Sequence, residues 1–221
     1  MTAMDSRTKI LSDIQKAVGE GQAMQGLSYV ADPGLPDAIG TETTLQRFVE
    51  MLRQVGGEGH ILNDEEAAIS MLRAILGEFR GKTMLMPPSA ELDRLCVPRL
   101  AQECDVEVLC SGSAAWSEAE SANFGITVAQ YGIADTGTVA LRHDSASGRL
   151  AALLPPVHVV VLRRKDIFPD KATFLARMRG RSADLGANPM TWVTGPSLTA
   201  DIEKVLVRGA HGPGRVIVLV Y

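Results

Sequence analysis

The stretch Thr83–Cys110, TMLMPPSAELDRLCVPRLAQECDVEVLC, sets the fold class. It opens on a short apolar strand, TMLMP, and closes on a second, VEVLC from Val106, with a helical run near Glu91–Glu103 between them. Two strands joined by a helix of roughly 10 to 15 residues make a βαβ unit, which pairs its strands in parallel. The flanks continue this alternation. Upstream, Thr41 stands at the N-cap of a helix with an apolar stripe of Leu45, Phe48, Val49 and Leu52, ended by Gly56-Gly57. His60–Leu62 reads as a short strand, and Asp64 caps a helix that carries Ala68, Met71, Leu72 and Ile75 on one face. At the far end RVIVLVY, nearly all apolar, is expected to be a central strand buried on both faces. The expected fold class is α/β with a mostly parallel sheet.

The middle of the chain departs from the pattern. Ile126–Leu162 holds three strand-like runs, ITVAQ, GTVALRH and VHVVVLRR, with no helix expected between them, and DSASG supplies turn residues before the third. This predicts a β-rich insert. After Asp170 a helix through Phe174, Leu175 and Met178 leads to a strand, TWVT, a turn, GPS, and a helix, TADIEKVLV. At the other end Leu11, Ile14 and Val18 predict an amphipathic helix over Asp5–Val18, and Asp32-Pro33-Gly34 with Pro36 marks a linker. The predicted organisation is an N-terminal helix and linker over 1–40 and an α/β domain over 41–221.

Composition narrows the function classes. With 46% hydrophobic and 22% charged residues the chain falls among globular proteins. A net charge of −4 does not supply the basic surface that displaces counterions from phosphates, so nucleic acid is not an expected partner. The most apolar segment, AALLPPVHVVVL, is broken by Pro155, Pro156 and His158 and is shorter than the ~20 residues of a membrane span. No membrane span and no signal peptide are expected. Cys96, Cys104 and Cys110 are spaced C-x7-C-x5-C, unlike the close C-x2-C runs of iron-sulfur or zinc ligation. They read as small buried hydrophobes in a reducing, cytoplasmic setting, and neither a metal nor a cofactor held by this chain is expected.

Four turn-like stretches carry candidate chemistry. In open α/β sheets ligands bind beyond the carboxyl ends of strands, where helix N-terminal amides are unpaired. TGPSLTADIE, Thr194–Glu203, reads as such a strand-to-helix turn, with Ser197 or Thr199 as the cap and Asp201 in the first turn. GIADTG places Asp135 and Thr136 at a glycine-bounded turn, PPVH places His158 at the start of an apolar strand, and GAHGP sets His211 among glycines. Each has a plain structural reading: a helix cap, an Asx turn, a core histidine, a helix stop. Together they predict a polar cleft on which Asp135, His158, Thr199, Asp201 and His211 converge. His158, His211 and Asp135 are the candidate acid–base groups, and Thr136, Gly137, Thr138, Gly195, Ser197, Thr199, Asp201 and Glu203 the candidate ligand contacts. The glycine-rich nucleotide motifs and the G-x-S-x-G element are absent.

GIADTGTVAL, LLPPVHVVVL and TGPSLTADIEKVLVRGAHGP, in this order, resemble the signature segments of the LUD (lactate utilization) domain family over Gly132–Val220. Asp135 stands where the family has Glu as often as Asp, and Leu198 where a basic residue is common. The resemblance implies an α/β three-layer fold similar to the NagB/RpiA/CoA-transferase group. It implies a cytoplasmic role in oxidising L-lactate to pyruvate, with iron-sulfur clusters in partner subunits; the favoured reading is a non-redox component of such a system that uses the polar cleft for a small carboxylate, a phosphate or docking. The alternative is a free-standing enzyme or binder of a phosphorylated or carboxylated metabolite. In that reading His158 or His211 is the acid–base group and Asp135 orients it. A third reading is a homodimeric scaffold with no ligand. The motifs leave open whether the chain itself is catalytic.

Overall fold

A computed structural model describes residues 9–10, 12, 39–142, 146–178, 190–200 and 206–221. The N-terminal helix and linker predicted over 1–40 lie almost wholly outside the described residues, as do Asp201 and Glu203. Thr41 Oγ1 accepts the Thr44 N–H at 3.3 Å and starts α1 (Glu42–Gln54), which leads into strand β1 (Glu58–Ile61). The Asp64 carboxylate accepts the Ala67 N–H at 2.8 Å and starts α2 (Glu65–Glu78). Strand β2 (Thr83–Met86) follows. The helix predicted near 91–103 is divided into α3 (Ala90–Arg94) and α4 (Val97–Glu103) by Cys96, whose φ of 56° interrupts the helical run. Then come β3 (Glu107–Cys110), α5 (Trp116–Ser121) and β4 (Phe124–Ala129).

Strands β5 (Tyr131–Ile133) and β6 (Thr138–Arg142) form a hairpin, and α6 (Ala146–Leu153) returns the chain to β7 (Val157–Leu162). Beyond them lie β8 (Ile167–Phe168), α7 (Lys171–Met178), β9 (Met190–Val193), β10 (Leu198–Ala200), β11 (Leu206–Arg208) and β12 (Arg215–Val220). The main sheet is six-stranded in the order β1-β12-β7-β4-β2-β3, and every pair in it is parallel. As its sequence predicts, β12 is central, and Val216–Val220 are buried. Side chains alternate between the two faces. Val159, Val161, Ile217 and Leu219 meet Leu72, Ile75, Leu92 and Leu100 of α2–α4 on one face. Val160, Leu162, Val216 and Val218 meet Leu45, Phe48, Val49 and Leu52 of α1 on the other. Each such fully buried side chain contributes about 1.5–3 kcal/mol relative to exposure.

The β-rich insert is a second sheet, ordered β8-β5-β6-β9, whose Val139 and Leu141 pack into the α1 layer. Phe174 of α7 meets Phe168 and Trp192 edge-on, each at a centroid distance of 5.3 Å, and so holds that helix on the second sheet.

Two expectations from the sequence need correction. A helix, α6, stands between the second and third strand-like runs. Strand β7 is parallel to β4, so the chain must cross back to the sheet's starting edge before β7 begins. The helix predicted from Thr199 is a β-hairpin arm instead: Leu198, Thr199 and Ala200 pair antiparallel with Arg208, Val207 and Leu206. Thr199 is β-branched, which favours the extended backbone over the helix its cap-like neighbours suggest.

Candidate functional site

Two turns meet on the last turn of α1. The β5–β6 turn, Ala134–Gly137, is anchored by the N–H groups of Ala134 and Asp135, which donate to Phe168 O at 2.8 Å and Pro169 O at 3.0 Å. Gly137 has φ +62°, and a Cβ there would stand 2.2 Å from Leu52 N, so only glycine lets this turn press onto the helix backbone. The second turn follows β9, where a Cβ on Gly195 would stand 2.7 Å from Val55 Cγ2. The two turns therefore share one platform, Met51–Val55.

A line of hydroxyls joins them. Thr136 Oγ1 lies 2.7 Å from Thr138 Oγ1, which lies 2.8 Å from Thr194 Oγ1. Three hydroxyls carry three O–H donors and the two bonds use two, so one of the three has a donor to spare. The middle member, Thr138, is 4% exposed. Beside Thr136, the Asp135 Oδ1 oxygen is buried and has no hydrogen-bond partner among the described residues. A buried carboxylate oxygen without a donor is costly, and it marks a place where a ligand's donor would be favoured.

The adjoining turns complete the surroundings. Ser197 donates its N–H to Pro213 O at 2.9 Å and accepts the Gly209 N–H at 2.8 Å, so its backbone is tied into neighbouring chain rather than capping a helix. The Gly214 N–H donates to Pro156 O at 2.9 Å, just before β7 and β12 begin. This whole region lies at the amino ends of the main-sheet strands, and the expected position beyond their carboxyl ends is corrected accordingly. The cause is that β9 joins the second sheet, antiparallel to β6, and delivers Thr194 to the opposite edge.

The structure separates the two candidate histidines. His158, the second residue of β7, is 0% exposed, and its Nε2 lies 2.8 Å from Thr127 Oγ1. In register beside it is Gly125, where a Cβ would stand 1.9 Å from Ala151 O of α6, which shows how closely that helix covers the sheet. The expectation of an imidazole lining an accessible cleft is not met at His158. His211 is exposed on the turn before β12, and Thr199 is half-buried on β10. The structure thus brings together Asp135, Thr136, Thr138 and Thr194 around Gly137 and Gly195. Thr194 is the member that sequence reasoning missed as a contact; its position directly before Gly195 was the available signal.

Arg215 fixes the neighbouring strand ends. Its Nε and Nη2 donate to the two Glu58 carboxylate oxygens at 2.7 and 2.9 Å, and Nη1 donates to Glu78 at 3.3 Å. The hydrogen bonds from Arg215 hold the Glu58 carboxyl below its usual range despite partial burial. At the carboxyl edge, burial pushes the Glu91 carboxyl up, but hydrogen bonds from Arg94 and Tyr221 outweigh it and leave the group below its usual range. Burial, and then its bond to Glu91, raises the Tyr221 phenol. Among the described residues no three His, Cys, Asp or Glu side chains are grouped to hold a metal, and no helix is long and apolar enough to cross a membrane.

A mixed α/β chain with this parallel sheet and inserted hairpin matches the LUD domain over residues 45–221, and the chain belongs to the LUD domain family. Among its relatives, the YkgG protein of Escherichia coli (strain K12) is 27% identical over 98% of both chains. Lactate utilization protein C of Halalkalibacterium halodurans is 25% identical over 97% of this chain and 96% of its own. The Bacillus subtilis (strain 168) protein of the same name is 36% identical over 43% of this chain and 41% of its own. The fold is shared with a crystal structure of a DUF162 family protein from Deinococcus radiodurans, with a TM-score of 0.58 and 21% identity over 80% of this chain and 96% of that one.

Proposed function

We propose that this chain is a component of a lactate-utilization system that oxidises L-lactate to pyruvate, with iron-sulfur subunits carrying the electrons, and that it holds a small hydroxy-carboxylate at the paired turns. The likeness to two proteins named lactate utilization protein C supports the system. One observation carries the site: the buried, partnerless Oδ1 of Asp135 beside a line of threonine hydroxyls with a donor to spare.

L-Lactate has the complementary pair of groups. Its hydroxyl donates to Asp135, and its carboxylate accepts from an end hydroxyl, Thr136 or Thr194, whose partner Thr138 can accept or donate in turn. Repulsion between two carboxylates selects this orientation over the reverse. Ser197 flanks the site from the adjoining turn.

The test is a two-dimensional NMR titration of the full chain with L-lactate and with propionate, which lacks the hydroxyl. L-Lactate is expected to shift amides in 134–138 and 194–197 and to bind at least about tenfold more tightly than propionate, the worth of one hydrogen bond to a charged group. Equal affinities, or shifts confined to other regions, would overturn the assignment.

A further inference from the structure

A cavity of about 740 Å³ runs along the open edge of β1, between α1 and α2. Its volume is in the range of sites for small organic ligands, about 300–1,000 Å³. Strand β1 pairs with β12 on one side only. The Leu62 N–H donates to Val220 O at 2.7 Å, which sets the alternation: His60 and Leu62 turn their backbone groups toward β12, and Gly59 and Ile61 turn theirs toward the cavity.

Arg53 reaches the same edge from α1. Its Nη2 donates to Gly59 O at 2.9 Å, which anchors the guanidinium along the cavity wall. Among the described residues Arg53 forms no ion pair, and its remaining N–H groups are available. The Gln46 and Gln54 amides and the His60 ring also line the cavity, with Glu50 as the acid in the lining. The rest of the surface is apolar, from Val49, Ile61, Leu62 and Met71.

We propose that this groove is a second binding site, separate from the paired turns, for a small organic carboxylate with an apolar tail. Arg53 and the outward N–H groups of Gly59 and Ile61 receive the carboxylate. Val49, Leu62 and Met71 receive the tail. A guanidinium matches the planar, two-oxygen carboxylate group, and anchoring on a backbone carbonyl reduces the ordering that binding demands.

The experiment titrates the full chain with acetate, butyrate, hexanoate and inorganic phosphate by two-dimensional NMR, and repeats the hexanoate series with Arg53→Gln and Glu50→Gln. Hexanoate is expected to shift amides at 49–54 and 59–62, with affinity rising about fourfold for each methylene buried. Arg53→Gln weakens hexanoate at least about tenfold, whereas Glu50→Gln tightens it about twofold by removing a like charge. Both variants lie on an exposed helix face, and thermal melts confirm their folding. Hexanoate binding no tighter than acetate or phosphate, equal affinity in wild type and Arg53→Gln, or no saturable shift at the groove would each overturn the proposal.

Discussion

Replacing Gly137 by alanine tests whether the β5–β6 turn is seated on α1 as described. Two costs add at this position. An L-residue at φ +62° costs about 1–2 kcal/mol. The new Cβ would also stand 2.2 Å from Leu52 N, 2.6 Å from Leu52 Cα and 2.7 Å from Met51 C, all helix backbone that cannot rotate aside. Forcing such groups apart costs about 1–3 kcal/mol. The sum is about 2–5 kcal/mol, a large fraction of the ~5–15 kcal/mol by which a domain is stable. Two controls separate the parts. Gly81 has φ +69° with nothing within 4 Å of an added methyl group, so Gly81→Ala bears the backbone cost alone. That cost is partly offset by lower unfolded-state entropy, leaving about 0–1 kcal/mol. Gly125 lacks a positive φ but would place its Cβ 1.9 Å from Ala151 O, so Gly125→Ala bears the clash alone, about 1–3 kcal/mol. Urea melts followed by circular dichroism give the three values. A melting temperature falls about 2–4 °C per kcal/mol in a domain of this size, so Gly137→Ala should melt about 4–20 °C lower. A loss at Gly137 no greater than at Gly81 would refute the seating of the turn on α1.

Three further outcomes follow from the same geometry. Thr138→Val leaves Thr136 and Thr194 without their shared partner and should cost about 1–3 kcal/mol, with Thr138→Ser recovering most of it; equal losses in a melt would show that the hydroxyl line contributes nothing. Glu58 is held below its ordinary 4.5, so its contribution is present above about pH 4.5 and is lost as pH falls through its lower folded value. Because the Arg215–Glu58 pair is about 40% exposed, with side chains 39% and 43% accessible, Arg215→Met should cost only about 0.2–1 kcal/mol at neutral pH. That difference should shrink in acid; a difference independent of pH from 7 to about 3 would contradict the assignment.

What the sequence made legible was mostly local. Thr41 and Asp64 announce their helices because each side chain reaches an N–H three residues ahead. RVIVLVY identifies the central strand because burial on both faces leaves no room for polar alternation. The turn at Asp135 and Thr136 was legible for a similar reason, its glycines bounding a hairpin. Partnerships across the chain were not legible. Thr138 and Thr194 are 56 residues apart, and nothing local in either stretch indicates that their hydroxyls meet. Ser197, Thr199 and Asp201 offer the same signals to a helix cap as to a polar hairpin, and the partners that decide it, Pro213 and Gly209 for Ser197 and Val207 for Thr199, come later in the chain. The edge of the sheet at which the site lies depends on which sheet β9 joins, and local pattern does not record that choice. His158 likewise looked like a group at a strand mouth until α6 was placed over it.

The most direct measurement combines this chain with the iron-sulfur subunits of a lactate-utilization system and follows L-lactate-dependent reduction of an artificial electron acceptor. The account predicts that the rate depends on adding the chain and falls at least about tenfold with Asp135→Asn at unchanged fold and abundance, the loss expected for one hydrogen bond to a charged group. A rate that is the same with the chain, without it and with Asp135→Asn would contradict the account.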